Sequence, residues 1–140
     1  MKKNIIVNMQ KNSIVLEFPI YYTQKFKTKK DKKLLVGLNN YRNWHHYLSN
    51  AIKIYYHDLT KSKIGKNTFM KVRMHYKVYV ARSGTDGPNI RSIMEKFILD
   101  GLVECGALQD DSIEFLIGDT SEYFIDKSDP RFVVEIEEII

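Results

Sequence analysis

Three aspartates and one lysine carry most of the chemical promise of this chain: Asp86, Asp110, Asp111 and Lys96. Carboxylate oxygens are the ligands Mg²⁺ prefers, and a held Mg²⁺ orients water and stabilises charge on an attacked phosphodiester. A lysine ammonium beside such a site offsets negative charge developing on the phosphate oxygens. The stretch DGPNIRSIMEKFILDGLVECGALQDDSIEFLIG, residues 86 to 118, places Asp86 just before a helix and Asp110-Asp111 just beyond its end. Folding back of the chain would gather Asp86, Asp110 and Asp111 as ligands for Mg²⁺, with Mn²⁺ as an alternative. The condition is demanding. A helix of about 16 residues is about 24 Å long, so the strand after it must return beside the helix N-terminus. Taken singly, Asp86 also suits a helix dipole, and Asp-Asp suits an ordinary turn.

The elements that must position these residues are legible from periodicity. Ile90, Ile93, Met94, Phe97, Ile98, Gly101 and Leu102 recur at helical spacing and form an inner face, with Pro88 at the start and Gly106 at the end. Asn89, Ser92, Lys96 and Asp100 form a second, polar ridge along the same helix. Upstream, SIVLEFPI reads as a strand ended by Pro19, and Asn39 or Asn40 caps a helix to about Tyr56 with Trp44, Leu48, Ile52 and Tyr55 on one stripe. DLTKSKIGKN reads as a basic loop whose Lys61, Lys63 and Lys66 could add phosphate contacts. TFMKVRMHYKVYVA alternates, putting Phe69, Val72, Met74, Tyr76, Val78 and Val80 mostly on one face and Lys71, Arg73, His75 and Lys77 on the other. SIEFLIG and RFVVEIEEI read as closing strands joined by a polar loop through Asp126 to Pro130. Strand, helix, strand, helix, strand, strand is an α+β order.

Charge is distributed unevenly. Residues 1 to 80 hold 17 Lys+Arg against 3 Asp+Glu, net +14, whereas residues 81 to 140 hold 5 against 14, net −9. Six lysines between Thr23 and Lys33, with Tyr21, Tyr22 and Phe26 interleaved, predict a mobile basic loop at about 23–35 that orders on a polyanion. Lys25, Lys27, Lys29 and Lys30 of that loop, with Lys71, Arg73 and Lys77 of the basic strand face, are the candidate DNA-binding residues. A solvated lysine-rich surface is the bland alternative. Neither a membrane-length apolar run nor a secretory segment stands out, MKKNIIVNMQKNS reaching a run of only three apolar residues before Asn8 interrupts it, so the expected location is the cytoplasm with no membrane partner. The lone Cys105 reads as a small buried hydrophobe, and His45, His46, His57 and His75 show no metal-ligand spacing. One domain spanning 1–140 suits this length.

The run Asp86, Asn89, Asp100-Gly101-Leu102, Gly106, Asp110-Asp111 resembles the RusA family of Holliday-junction resolvases, Mg²⁺-dependent endonucleases common in phages and prophages. The family pattern is D-x-D-N entering a helix, a lysine one turn inside, D-A/G-L near the helix end, then a glycine and D-D. The likeness covers about residues 86 to 118 well and the upstream order only loosely. Pro88 stands where the pattern has its middle acid, Ser92 stands at the lysine position, and Lys96 lies one turn further along the same ridge. The resemblance implies a small mixed sheet of about four strands with two helices and a homodimer that nicks branched or double-stranded DNA. It implies Asp86 and Asp111 as metal ligands and catalytic residues, Asp110 as a supplementary ligand, Lys96 at the scissile phosphate and Asn89 among the DNA contacts. The alternative implied by Pro88 is a RusA-like DNA-binding protein without nuclease activity. A third reading is an interaction protein whose acidic half binds a host protein.

Overall fold

The computed structural model describes residues 12–139, and the reading of residues 1–11 lies outside the described residues. Four strands, β1 (Asn12–Phe18), β4 (Val72–Val80), β5 (Leu116–Ile125) and β6 (Arg131–Glu138), form one mixed sheet in the order β1-β6-β4-β5. β6 pairs antiparallel with both β1 and β4, whereas β4 and β5 are parallel. A parallel pair needs a crossover, and here it is the helix α3 (Gly87–Glu104). The α+β class expected from the element order is the class observed.

Alternation decides which face of the sheet is covered. Val72, Met74, Tyr76, Val78 and Val80 of β4, with Phe132, Val134 and Ile136 of β6 and Leu16 and Phe18 of β1, are buried. They meet Ile90, Ile93, Met94, Phe97, Ile98 and Leu102 of α3 and Ile52, Tyr56 and Ile64 of α2 (His46–Ile64) in one core. Both helices lie on that face. Tyr56 stacks on Phe97 with ring centroids 5.4 Å apart, and Thr60 packs so closely on Gly101 that a Cβ there would come within 2.9 Å of the Thr60 Cβ. Tyr56 and Thr60 thus meet Phe97 and Gly101 in the same order, so α2 and α3 run in the same sense.

Several expectations change. Residues 23–35 are not a loop throughout: β2 (Tyr21–Gln24) and β3 (Lys32–Leu35) form an antiparallel hairpin, and only residues 25–31 connect them. Aromatic faces help to hold the lysines that would otherwise repel one another: Lys33 sits over Tyr21 and Lys29 over Phe26, 5.3 and 4.4 Å from the ring centroids. The single helix expected from Asn39 to Tyr56 is two, α1 (Leu38–Asn43) and α2, because Trp44 and His45 are extended and the His45 ring accepts the Tyr47 N–H as an N-cap. α2 continues through Lys61 and Lys63, expected in a loop, to the positive-φ Gly65. Cys105 is exposed, because it lies past the last inner-face residue of α3 as its C-cap. Ser112–Phe115 form a turn, so the strand expected from Ser112 begins at Leu116.

Candidate functional site

α3 divides the predicted acids between its two ends. Asp86 is the N-cap, its Oδ1 accepting the Asn89 N–H at 3.2 Å, and Pro88 occupies the first turn, where it costs no hydrogen bond. Asp110 and Asp111 follow the C-terminal end, Asp110 Oδ1 accepting the Asp111 N–H at 2.9 Å. Eighteen helical residues separate the ends by about 27 Å. The next strand does not return to Asp86 from there: β5 starts at the N-terminal end of β4, Val72 opposite Leu116, and reaches the α3 N-terminus only with its own C-terminal half. Within one chain, then, Asp86 and the Asp110-Asp111 pair do not meet, and among the described residues no three His, Cys, Asp or Glu stand together as metal ligands. No ion pair among the described residues holds Asp86, Asp110 or Asp111.

Asn89 has a local role. Its side-chain Oδ1 accepts the Asn39 N–H at 3.0 Å, supplying α1 with the cap that Gly37 cannot give. Gly37 lets that amide approach, since a Cβ there would meet Asn89 Nδ2 at 2.5 Å.

The distal end of α3 gathers a different set. Asp100, Glu104 and Asp111 line an open pocket of about 350 Å³ together with Lys53 and His57 of α2. Lys96 approaches Asp100 at 4.0 Å, so Lys96, Asp100 and Asp111 share this end. Glu104 is bound by Lys61 at 2.5 Å and by the His57 Nδ1 at 3.1 Å. The hydrogen bond from Lys61, then its charge, hold the Glu104 carboxyl below the usual range, while the same bond raises Lys61. The His57 Nε2 is buried with no hydrogen-bond partner among the described residues. The sequence did carry a signal for this site: Lys53, His57 and Lys61 recur every four residues on α2, as do Lys96, Asp100 and Glu104 on α3.

A third polar group lies between α3 and β5. Arg91 pairs with Asp119 at 3.1 Å and Glu95 at 3.4 Å, and its guanidinium lies 5.3 Å from the centroid of the Tyr76 ring. Burial, offset by Arg91 and reinforced by Asp119, raises the Glu95 carboxyl. The Tyr76 hydroxyl is buried without a hydrogen-bond partner among the described residues, and burial pushes its pKa up.

The candidate DNA-binding residues fall on two surfaces. Arg73, His75 and Lys77 lie on the uncovered sheet face, as alternation predicts, with Lys71 just before the strand. Yet the register sets Glu137 opposite Arg73, Glu135 opposite His75 and Glu122 opposite Lys77, and the His75 Nε2 meets Glu137 Oε1 at 2.7 Å. That face is therefore mixed in charge. Lys25, Lys27, Lys29 and Lys30 instead occupy the exposed tip of the hairpin, beside a groove of about 1420 Å³ between the hairpin, the first turns of α2 and the β5–β6 connection.

Compared with known proteins, the chain matches no family model and no curated protein. What remains is the geometry of an α+β domain whose exposed carboxylates flank one helix and whose hairpin carries a cluster of exposed lysines.

Proposed function

We propose that this chain is a RusA-like, Mg²⁺-dependent endonuclease acting on branched DNA as a homodimer, with each metal site shared between two chains. The observation that carries the reading is the position of β5. Among the described residues it is an edge strand of ten residues, paired only with β4, and Tyr123, Phe124 and Ile125 near its C-terminal end are 43, 38 and 62% exposed. A long edge with exposed apolar side chains is a template for a second strand. The α3 N-terminus sits at one end of this edge, where Gly87 packs directly against the Tyr123 ring, and Asp110-Asp111 precede the other.

Antiparallel pairing of β5 with its symmetry mate across a two-fold axis would lay the start of one β5 beside the end of the other. Asp110 and Asp111 of the partner subunit would then approach Asp86, and the reverse contact would form the second site. Paired sites are what two nicks at a four-way junction require. Asp86 and Asp111 would bind Mg²⁺ or Mn²⁺, Asp110 would supplement them in place of the acid replaced by Pro88, and Lys96 would face the phosphate.

Mixed dimers test this. Asp86→Asn and Asp111→Asn should each abolish cruciform cleavage in Mg²⁺. Refolding the two variants together should restore about one quarter of the sites, because random pairing makes half the dimers mixed and each mixed dimer has one intact site. No recovery would refute a site shared between two chains, and parental rates from Asp111→Asn alone would refute the nuclease reading.

A second reading, DNA binding without cleavage, is favoured by the structural use of two signature side chains: Asp86 caps α3 and Asn89 caps α1. Tight junction binding with no cut under Mg²⁺ or Mn²⁺ would decide for it.

A further inference from the structure

The groove beside the hairpin combines two features that the acids of α3 do not explain. Its walls are aromatic: Tyr22 meets Tyr55 edge-on at 5.4 Å, the His45 ring stacks on Tyr47 at 5.4 Å and 18°, and Tyr47 is 80% exposed. Its rim is basic: Lys25, Lys33 and Lys127 line it. Asp129 also lines it, but that carboxylate is 3.6 Å from the Arg131 guanidinium. Lys27, Lys29, Lys30 and Lys32 extend the positive field along the hairpin, against Asp31 alone.

Tyr47, held flat against the His45 ring with the His46 ring tilted 60° at 6.2 Å, is an exposed aromatic platform. Nucleobases offer the flat apolar surface that stacks there, and their phosphates offer the charge that the rim lysines neutralise. A double helix hides its bases, so it could use the lysines but not the platform. An acidic peptide would likewise use the charge and leave most of the aromatic wall unfilled. We infer that this groove binds an unpaired DNA strand, stacking bases on Tyr47 and the Tyr22–Tyr55 pair while Lys25, Lys33 and Lys127 hold the backbone. Ala81 lines the same groove, so it opens at the end of β4 from which the chain turns towards Asp86. The choice of DNA rests on the endonuclease reading, and a strand frayed from a branch point is the form of DNA that fits. Neither the acids nor a metal is required for it.

Fluorescence anisotropy in EDTA, with a labelled oligothymidine of about 12 nucleotides, tests the groove separately from cleavage. The expected result is binding tighter than to a blunt duplex of equal length, weakened about tenfold by Tyr47→Ala and within about twofold of the parent for Tyr47→Phe. Lys25→Gln with Lys33→Gln should flatten the salt dependence by roughly 0.7 for each phosphate no longer neutralised. Tyr47 and the lysines are exposed, so these variants keep the core intact. Unchanged binding by Tyr47→Ala, equal affinity for blunt duplex, tighter binding of the matching RNA, or equal displacement by polyglutamate would each overturn the inference. Cruciform cleavage without oligothymidine binding would reject the groove and keep the endonuclease; binding without cleavage would do the reverse.

Discussion

Two lysine-bearing surfaces of this molecule start from similar sequence and end with different electrostatics. On the open sheet face, Arg73 and Lys77 stand across from Glu137 and Glu122, and Arg131 spreads over the Tyr79 ring 3.8 Å from its centroid while bonding Asp126. On the hairpin, Lys25, Lys27, Lys29 and Lys30 have no facing acidic strand among the described residues, because there β2 and β3 pair only with each other. The first surface neutralises its charge internally, and the second presents it. A cluster of lysines in sequence thus becomes a polyanion surface only where the fold keeps the acids elsewhere.

The strongest way to break this difference is to undock α2, which walls the groove but not the open sheet face. Phe97 is 1% exposed, stacks on Tyr56 and meets Tyr41 edge-on at 5.3 Å, tying α3 to α2 and α1. Phe97→Ala should cost about 3–5 kcal/mol in urea unfolding, and oligonucleotide binding should fall before the sheet melts.

Charge reversal comes next. Lys25→Glu with Lys33→Glu should weaken oligothymidine binding by roughly tenfold or more at low salt, whereas Arg73→Glu with Lys77→Glu should change it by less than about threefold. Equal losses would erase the distinction. Exposing the masked face sharpens it from the other side: Glu122→Gln with Glu135→Gln should raise affinity for blunt duplex by about two- to threefold and steepen its salt dependence, measured by titration at several ionic strengths.

The smallest effect concerns Glu95, behind the sheet. Burial raises its folded pKa above the unfolded value, so the folded state binds the proton more tightly and stability falls as pH rises through that window. Glu95→Gln should therefore raise the urea midpoint slightly at pH 7, and the gain should vanish below the ordinary glutamate range. A gain that persisted at low pH would assign the effect to packing instead.

Much of the fold was legible because local periodicity and burial agree. The 3.6-residue stripe from Ile90 to Leu102 became the buried face of α3, and the alternation from Val72 to Val80 became β4. The hairpin was not, since lysine repulsion argues against strands and the aromatic contacts of Tyr21 and Phe26 appear only in three dimensions. Nor was the break at Trp44-His45, where the apolar stripe continues but the backbone is extended. At the site, the helix cap at Asp86 was readable from the turn and proline beside it; the cap that Asn89 gives α1, 50 residues away, was not.

By itself the sequence determined an α+β chain, an amphipathic helix with acids at both ends, and an excess of lysine in its first half, because these are properties of neighbours along the chain. Only the tertiary structure decided that the acids at those ends stay about a helix length apart, that the glutamates of β5 and β6 answer the cations of β4, and that Tyr22, Tyr47 and Tyr55 share a groove. Strand order and register set those relations. β5 lies parallel to β4, so it starts at the far end of α3 from Asp86, and no local pattern encodes which end that will be.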